Sequence, residues 1–185
     1  KDKVNMSILG ELRMDPFVNQ DNIVLNDIGA VTNELKELYQ LGGRTVVDPT
    51  NLGIGRSPKI LREISYETNL NIVMGAGFYL QPTHPDFVKS LTKRDISELI
   101  VNEFINGVDD TGIKIGIIGE IGISKDFTSE EEKVLRGAAM ASKVTKLPLS
   151  VHLPGWERHG NRVLDIAKEE GCLNKQIVLC HMNPS

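Results

Sequence analysis

Three residues of this 185-residue chain join metal-binding side chains to positions where a parallel α/β fold displays its ligands. Glu120 closes an apolar run, His152 closes Leu149-Ser150-Val151, and His181 closes Ile177-Val178-Leu179-Cys180. Two imidazoles and a carboxylate suit a divalent transition metal, zinc above all. If each run is a strand, consecutive strands bring their carboxyl ends to one rim, the edge at which such folds bind ligands. The strand period of two points His152 with Ser150, and His181 with Leu179 and Ile177, toward a common interior. The bland alternative bonds each histidine to a core carbonyl and pairs Glu120 with an arginine. Two of only four histidines at adjacent strand ends favour the metal.

Other candidates carry a structural reading beside the chemical one. His84 lies in a long loop and could touch substrate, but a solvent-exposed loop histidine is the simpler expectation. His159, in the first turn of a helix, reads as a surface residue. Cys180 is expected on the opposite strand face from His181, as packing rather than a ligand. Gly53-Ile54-Gly55 resembles part of a dinucleotide fingerprint, but Ser57 stands where the last glycine belongs. Arg56 could bind an anion; pairing with a carboxylate such as Asp48 is the structural reading. Tyr79 could reach the rim or simply pack. Trp156, after Pro154-Gly155, either walls a pocket or closes a local cluster.

The elements that must position these residues are legible in the pattern. Ile28, Val31, Leu35 and Leu38 mark a helix that stops at Gly42-Gly43. Thr45-Val46-Val47-Asp48 reads as a buried strand before Pro49. Pro58 opens a helix carrying Ile60, Leu61 and Ile64, and Asn71-Ile72-Val73-Met74 is the second strand. Thr92 begins a helix with Ile96, Leu99, Ile100 and Phe104, followed by a third strand over 113–118. Thr128 and Glu131 form a capping box for a helix with Val134, Leu135, Ala138 and Ala141 on one side. Residues 149–152 are the fourth strand, Val163 to Ala167 belong to a helix ended by Gly171, and 177–181 are the fifth. Five strands alternating with helices make a parallel α/β protein, either doubly wound or part of a (β/α)8 barrel. No linker divides it, so residues 1–185 read as one domain. The loop over 78–91 is the longest, and long loops after strands often carry function.

Composition narrows the class further. With 40% hydrophobic and 25% charged residues the chain is globular rather than disordered. A net charge of -4, with neither sign in a long run, argues against nucleic acid. No apolar stretch approaches the roughly 18 residues of a membrane span, and no secretory signal is visible. Cys172 and Cys180 form no CxxC pair, which fits reduced thiols and a cytoplasmic setting. A start at Lys1 and a stop just after a proline suggest that both ends are cut.

Gly116-Ile117-Ile118-Gly119-Glu120-Ile121-Gly122, with a histidine at each of the next two strand ends, resembles the phosphotriesterase family of the amidohydrolase superfamily. Val47-Asp48-Pro49-Thr50, Gly55-Arg56 and Gly75-Ala76-Gly77-Phe78-Tyr79 fit the same family in the same order. Glu120 matches the phosphotriesterase-related branch, which uses glutamate where another branch uses a carboxylated lysine. The resemblance implies a (β/α)8 TIM barrel, of which this chain covers about strands 2 to 6, holding two divalent metal ions, zinc first. Glu120 would bridge both, His152 and His181 would bind the second, and a hydroxide shared by the metals would attack a carbonyl or phosphoryl centre. Tyr79 falls where the family places an aromatic beside the substrate.

The family's first-strand His-x-His and eighth-strand aspartate are absent, so the proton acceptor is expected outside this chain, and Asn183 stands where many relatives carry aspartate. The expectation is a metal-dependent hydrolase of a lactone, ester, amide or phosphoester, with this segment inactive alone. Its partners would be a small-molecule substrate and neither nucleic acid nor membrane, a homodimer staying open. The rival readings are a metal-free binding or regulatory barrel and an open-sheet nucleotide or phosphate binder using 53–56.

Overall fold

The computed structural model describes residues 3–15, 18–24, 26–155 and 157–182. Its strands are β1 (Thr45–Asp48), β2 (Asn71–Ala76), β3 (Ile117–Gly122), β4 (Leu149–His152) and β5 (Ile177–Leu179). All pair in parallel and in sequence order, β1-β2-β3-β4-β5. A doubly wound sheet reverses its strand order at a switch point, and this one does not. Unbroken sequential order belongs to a barrel, and the sheet curls as half of one.

The helices are α1 (Leu9–Met14), α2 (Ile28–Gln40), α3 (Pro58–Thr68), α4 (Lys93–Ile105), α5 (Ser129–Thr145) and α6 (Gly160–Glu169). Each long helix begins where local chemistry dictates. Pro58 opens α3, where a missing N–H costs nothing. Thr92 with Asp95 and Thr128 with Glu131 form reciprocal capping boxes at α4 and α5. The core lies between the sheet and these helices: Met74, Ile118, Ile121, Leu149 and Val151 from the strands meet Ile96, Ile100, Leu135 and Val163. Helices α4 and α5 approach so closely that a Cβ on Gly137 would sit 2.7 Å from Ile96. Alternation then turns Ser150 and His152 to the inner face of the arc. Among the described residues no helix is long and apolar enough to cross a membrane.

Three boundaries differ from the sequence reading. The third strand begins at Ile117, not Ile113, because the Ile113 carbonyl is spent on accepting the Val108 N–H at the turn after α4 and pairing with β2 starts only at Ile117. Glu120 is therefore inside β3. The register between β3 and β4 shifts between Ile118 and Ile121, so both isoleucines reach the core while the intervening pair turns inward. Gly119 at φ +129 allows this: a Cβ there would collide with the Ser150 carbonyl. The fifth strand's ladder stops at Leu179. Finally, the opening segment contains α1 and short 3-10 turns at Met6–Ile8 and Gln20–Asn22.

Candidate metal centre

Glu120, His152 and His181 converge on the inner rim of the arc, with one ligand atom from each lying within 4.8 Å of the others. Glu120 Oε1 is 3.7 Å from His152 Nδ1 and 3.8 Å from His181 Nε2. The two imidazole rings lie edge to face, 4.6 Å between centroids. Ligands about 2.1 Å from a tetrahedral ion are separated by about 3.4 Å. Both separations from Glu120 are within a few tenths of an ångström of that and all three donors lie within 4.8 Å of one another, so the donor set fits the zinc-like metal that its chemistry calls for. Among the described residues no other group of three His, Cys, Asp or Glu converges this way.

The surroundings keep the carboxylate charged. Burial opposes ionisation of Glu120, but the close approach of His152 and Cys180 and the charge available on both histidines outweigh it and hold the group below the ordinary carboxylate value. Tyr79 stacks edge-on against His152, its hydroxyl 3.3 Å from each ring nitrogen. Burial, and then the negative charge of Glu120, push its phenol up to about 12, so it remains a proton donor at neutral pH. A cleft of about 290 Å³ opens beside His181, walled by Leu153, Pro154, Asn161 and Met182.

His181 reaches the site by an unexpected route. Leu179 packs against the helix side near Gly160, so strict alternation would send His181 outward. Instead the backbone enters the left-handed region at His181, φ +58, and returns the ring to the inner rim. Cys180, expected on the other face, is the inward residue. Its thiol is 3.3 Å from Ser150 Oγ and close enough to Glu120 to feel its charge. Burial, reinforced by Glu120 and opposed by Ser150, raises the thiol above its usual value.

The supporting residues also depart from expectation. His84 is not solvent-exposed: Nε2 donates to the Tyr79 carbonyl at 2.8 Å, and Nδ1 lies 2.7 Å from Glu130 Oε1. Arg56 is paired with a carboxylate, but with both oxygens of Glu103 at 2.7 and 2.8 Å rather than with Asp48, and it also donates to the Gly75 carbonyl. With its side chain 2% exposed, Arg56 has no charge to spare for a phosphate, which removes the basis of the nucleotide-binding reading. His159 stands at the N-cap of α6, bonded to the Lys125 carbonyl and stacked on Phe127. Trp156 and Asn183 lie outside the described residues.

Two carriers of the site were given no part in it by the sequence reading. Asn51, fully buried, donates to the Glu120 carbonyl at 2.8 Å. Glu131, fully buried, accepts from Ser124, Thr128 and the Gln81 N–H, tying the Tyr79 loop to the start of α5. The capping box announced Glu131, but nothing local marks Asn51.

The phosphotriesterase family model matches residues 2–185 of this sequence. The chain belongs to the phosphotriesterase family. It is 36% identical over 174 residues to the N-acetyltaurine hydrolase of Xenopus tropicalis, covering 93% of this chain and 50% of that relative. A resiniferatoxin-binding protein from Rhodobacter sphaeroides superposes with a TM-score of 0.95 at 53% identity, over 100% of this chain and 52% of the other. A lactonase from Listeria monocytogenes superposes with a TM-score of 0.81 at 26% identity, over 88% and 55%. The chain spans about half the length of the curated relatives it matches. Family membership and the barrel arc agree with the order of strand-end residues from which both were expected.

Proposed function

We propose that the whole protein is a metal-dependent hydrolase in which Glu120, His152 and His181 are metal ligands and Tyr79 lines the substrate site. The observation that carries this reading is the convergence of the three ligand atoms within 4.8 Å at the carboxyl rim of a phosphotriesterase-family barrel arc. As the family resemblance implies, Glu120 would bridge two ions, and its carboxylate has an oxygen to offer each. The remaining ligands and the proton acceptor are assigned to parts of the whole protein beyond this chain. When bound, the ions supply Lewis acidity, lowering the pKa of water and polarising the centre under attack.

The chain's own groups do the rest. Glu120 stays anionic and offsets cationic charge. The phenol of Tyr79, protonated at neutral pH, donates to a substrate oxygen while it buttresses His152. The cleft beside His181 admits a small molecule. Among substrates, the names of the Xenopus and Listeria relatives support a carboxylic amide or lactone over a phosphoester.

A binding rather than catalytic role is the second reading, favoured by the name of the 53% identical structure. The test is turnover by the whole protein, zinc-loaded, against N-acyl amides, lactones, esters and phosphotriesters. The proposal expects acyl-compound hydrolysis that a chelator abolishes and zinc restores. Tight ligand binding with no zinc-dependent turnover of any class would favour the binding role.

A further inference from the structure

The loop after β1 grips the backbone of Glu120 from two sides. The Pro49 carbonyl accepts the Glu120 N–H at 2.9 Å, and Asn51 Nδ2 donates to the Glu120 carbonyl at 2.8 Å. Both polar main-chain groups of the carboxylate residue are thus held by one short loop, across 69 residues of sequence. That loop is itself anchored. Gly75 lets it approach, since a Cβ there would lie 2.8 Å from Pro49 Cα and would collide with the Gly119 carbonyl. Arg56, farther along the same loop, ties the Gly75 carbonyl to Glu103.

Asn51 is costly where it stands. Its side chain is fully buried, and Oδ1 is the one buried side-chain nitrogen or oxygen among the described residues with no hydrogen-bond partner. A leucine of similar volume would avoid that penalty, so packing gives no reason for an amide here. The Glu120 carbonyl does, because β3 breaks register at this point and cannot offer it a regular ladder partner. We infer that Asn51 is a positioning residue for the metal site: by fixing the Glu120 peptide it aims the carboxylate at His152 and His181. The inference rests on the reading of Glu120 as a metal ligand.

The test compares Asn51→Leu and Asn51→Ala with wild type in the whole protein, measuring zinc affinity by chelator competition and metal-free thermal unfolding. Both variants lose the donor, so zinc affinity is expected to fall about 10- to 100-fold in each, the usual effect of losing an outer support. The Leu variant removes the orphan acceptor but strands the Glu120 carbonyl, so the two effects offset and its metal-free melting temperature should stay near that of wild type. Weakened zinc binding in a scaffold of near wild-type stability is a result that a merely structural residue would not give. Zinc affinity within about twofold of wild type in the Leu variant would overturn the inference while leaving the metal site intact. If the Leu variant does not fold, the Ala variant decides on the same affinity criterion. A wild-type protein that binds no zinc would overturn the site itself, and the inference with it.

Discussion

The carboxylate of Glu120 faces two imidazoles at 3.7 and 3.8 Å, and its charge is what a bound cation would need. Replacing it with glutamine keeps the shape and removes the charge, so Glu120→Gln should lower zinc affinity at least about tenfold with little change in metal-free melting temperature. Metal analysis and calorimetry on one preparation would check both. A pH effect follows from the same residue. Because its folded pKa is depressed, Glu120 contributes stability above its ordinary value of 4.5 and loses it as pH falls through the lower folded value. The acid limb of the metal-free stability curve should therefore be shallower in Glu120→Gln than in wild type below about pH 4.5. His84 invites a different experiment. The Tyr79 carbonyl can only accept, so Nε2 donates to it, and Nδ1 faces Glu130 Oε1 at 2.7 Å. His84→Ala strands a largely buried carboxylate and frees the Tyr79 loop, for a loss of roughly 3 kcal/mol in urea unfolding. A double-mutant cycle with Glu130→Ala should return a coupling above about 1 kcal/mol.

At the scale of elements, the pair Arg56–Glu103 joins the β1–α3 loop to α4. Removing either partner alone leaves a buried charge and should cost about 3–5 kcal/mol, whereas Arg56→Met with Glu103→Leu should come much nearer to neutral. Denaturant midpoints of the three variants measure this. Glu103 was in fact readable: it sits three residues after Ile100 on the apolar stripe of α4, and an acid there needs a cation. Helix starts and β4 were legible because capping boxes, Pro58 and β-branched runs are local signals. The start of β3 was not, since Ile113 and Ile115 imitate a strand while serving a turn and the core. Nor was the inward turn of His181, because one left-handed residue overrides the period of two from which its direction was argued. The partners of Glu120 and His84 lie 69 and 46 residues away, in contacts that only the closed fold creates.

The arc as a whole exposes what a barrel hides. Among the described residues the outer edges of β1 and β5 have no strand beside them, and Val47 and Val178 are half-exposed. A barrel gains its stability by pairing first strand with last and filling its interior layers. Residues 1–185 expressed alone should accordingly unfold with poor cooperativity, turn over no ester, lactone or amide, and hold at most one ion weakly. Cooperative unfolding of that segment with two bound metals and turnover would show that the functional unit ends sooner than the account holds. The central claim is that Glu120, His152 and His181 ligate metal, and a zinc-loaded crystal of the whole protein measured at the zinc absorption edge tests it most directly. The account predicts an anomalous peak about 2.0 to 2.2 Å from a carboxylate oxygen of Glu120 and from one ring nitrogen of each histidine. A map with no peak among these three residues, or with the two imidazoles turned away from each other, would contradict it.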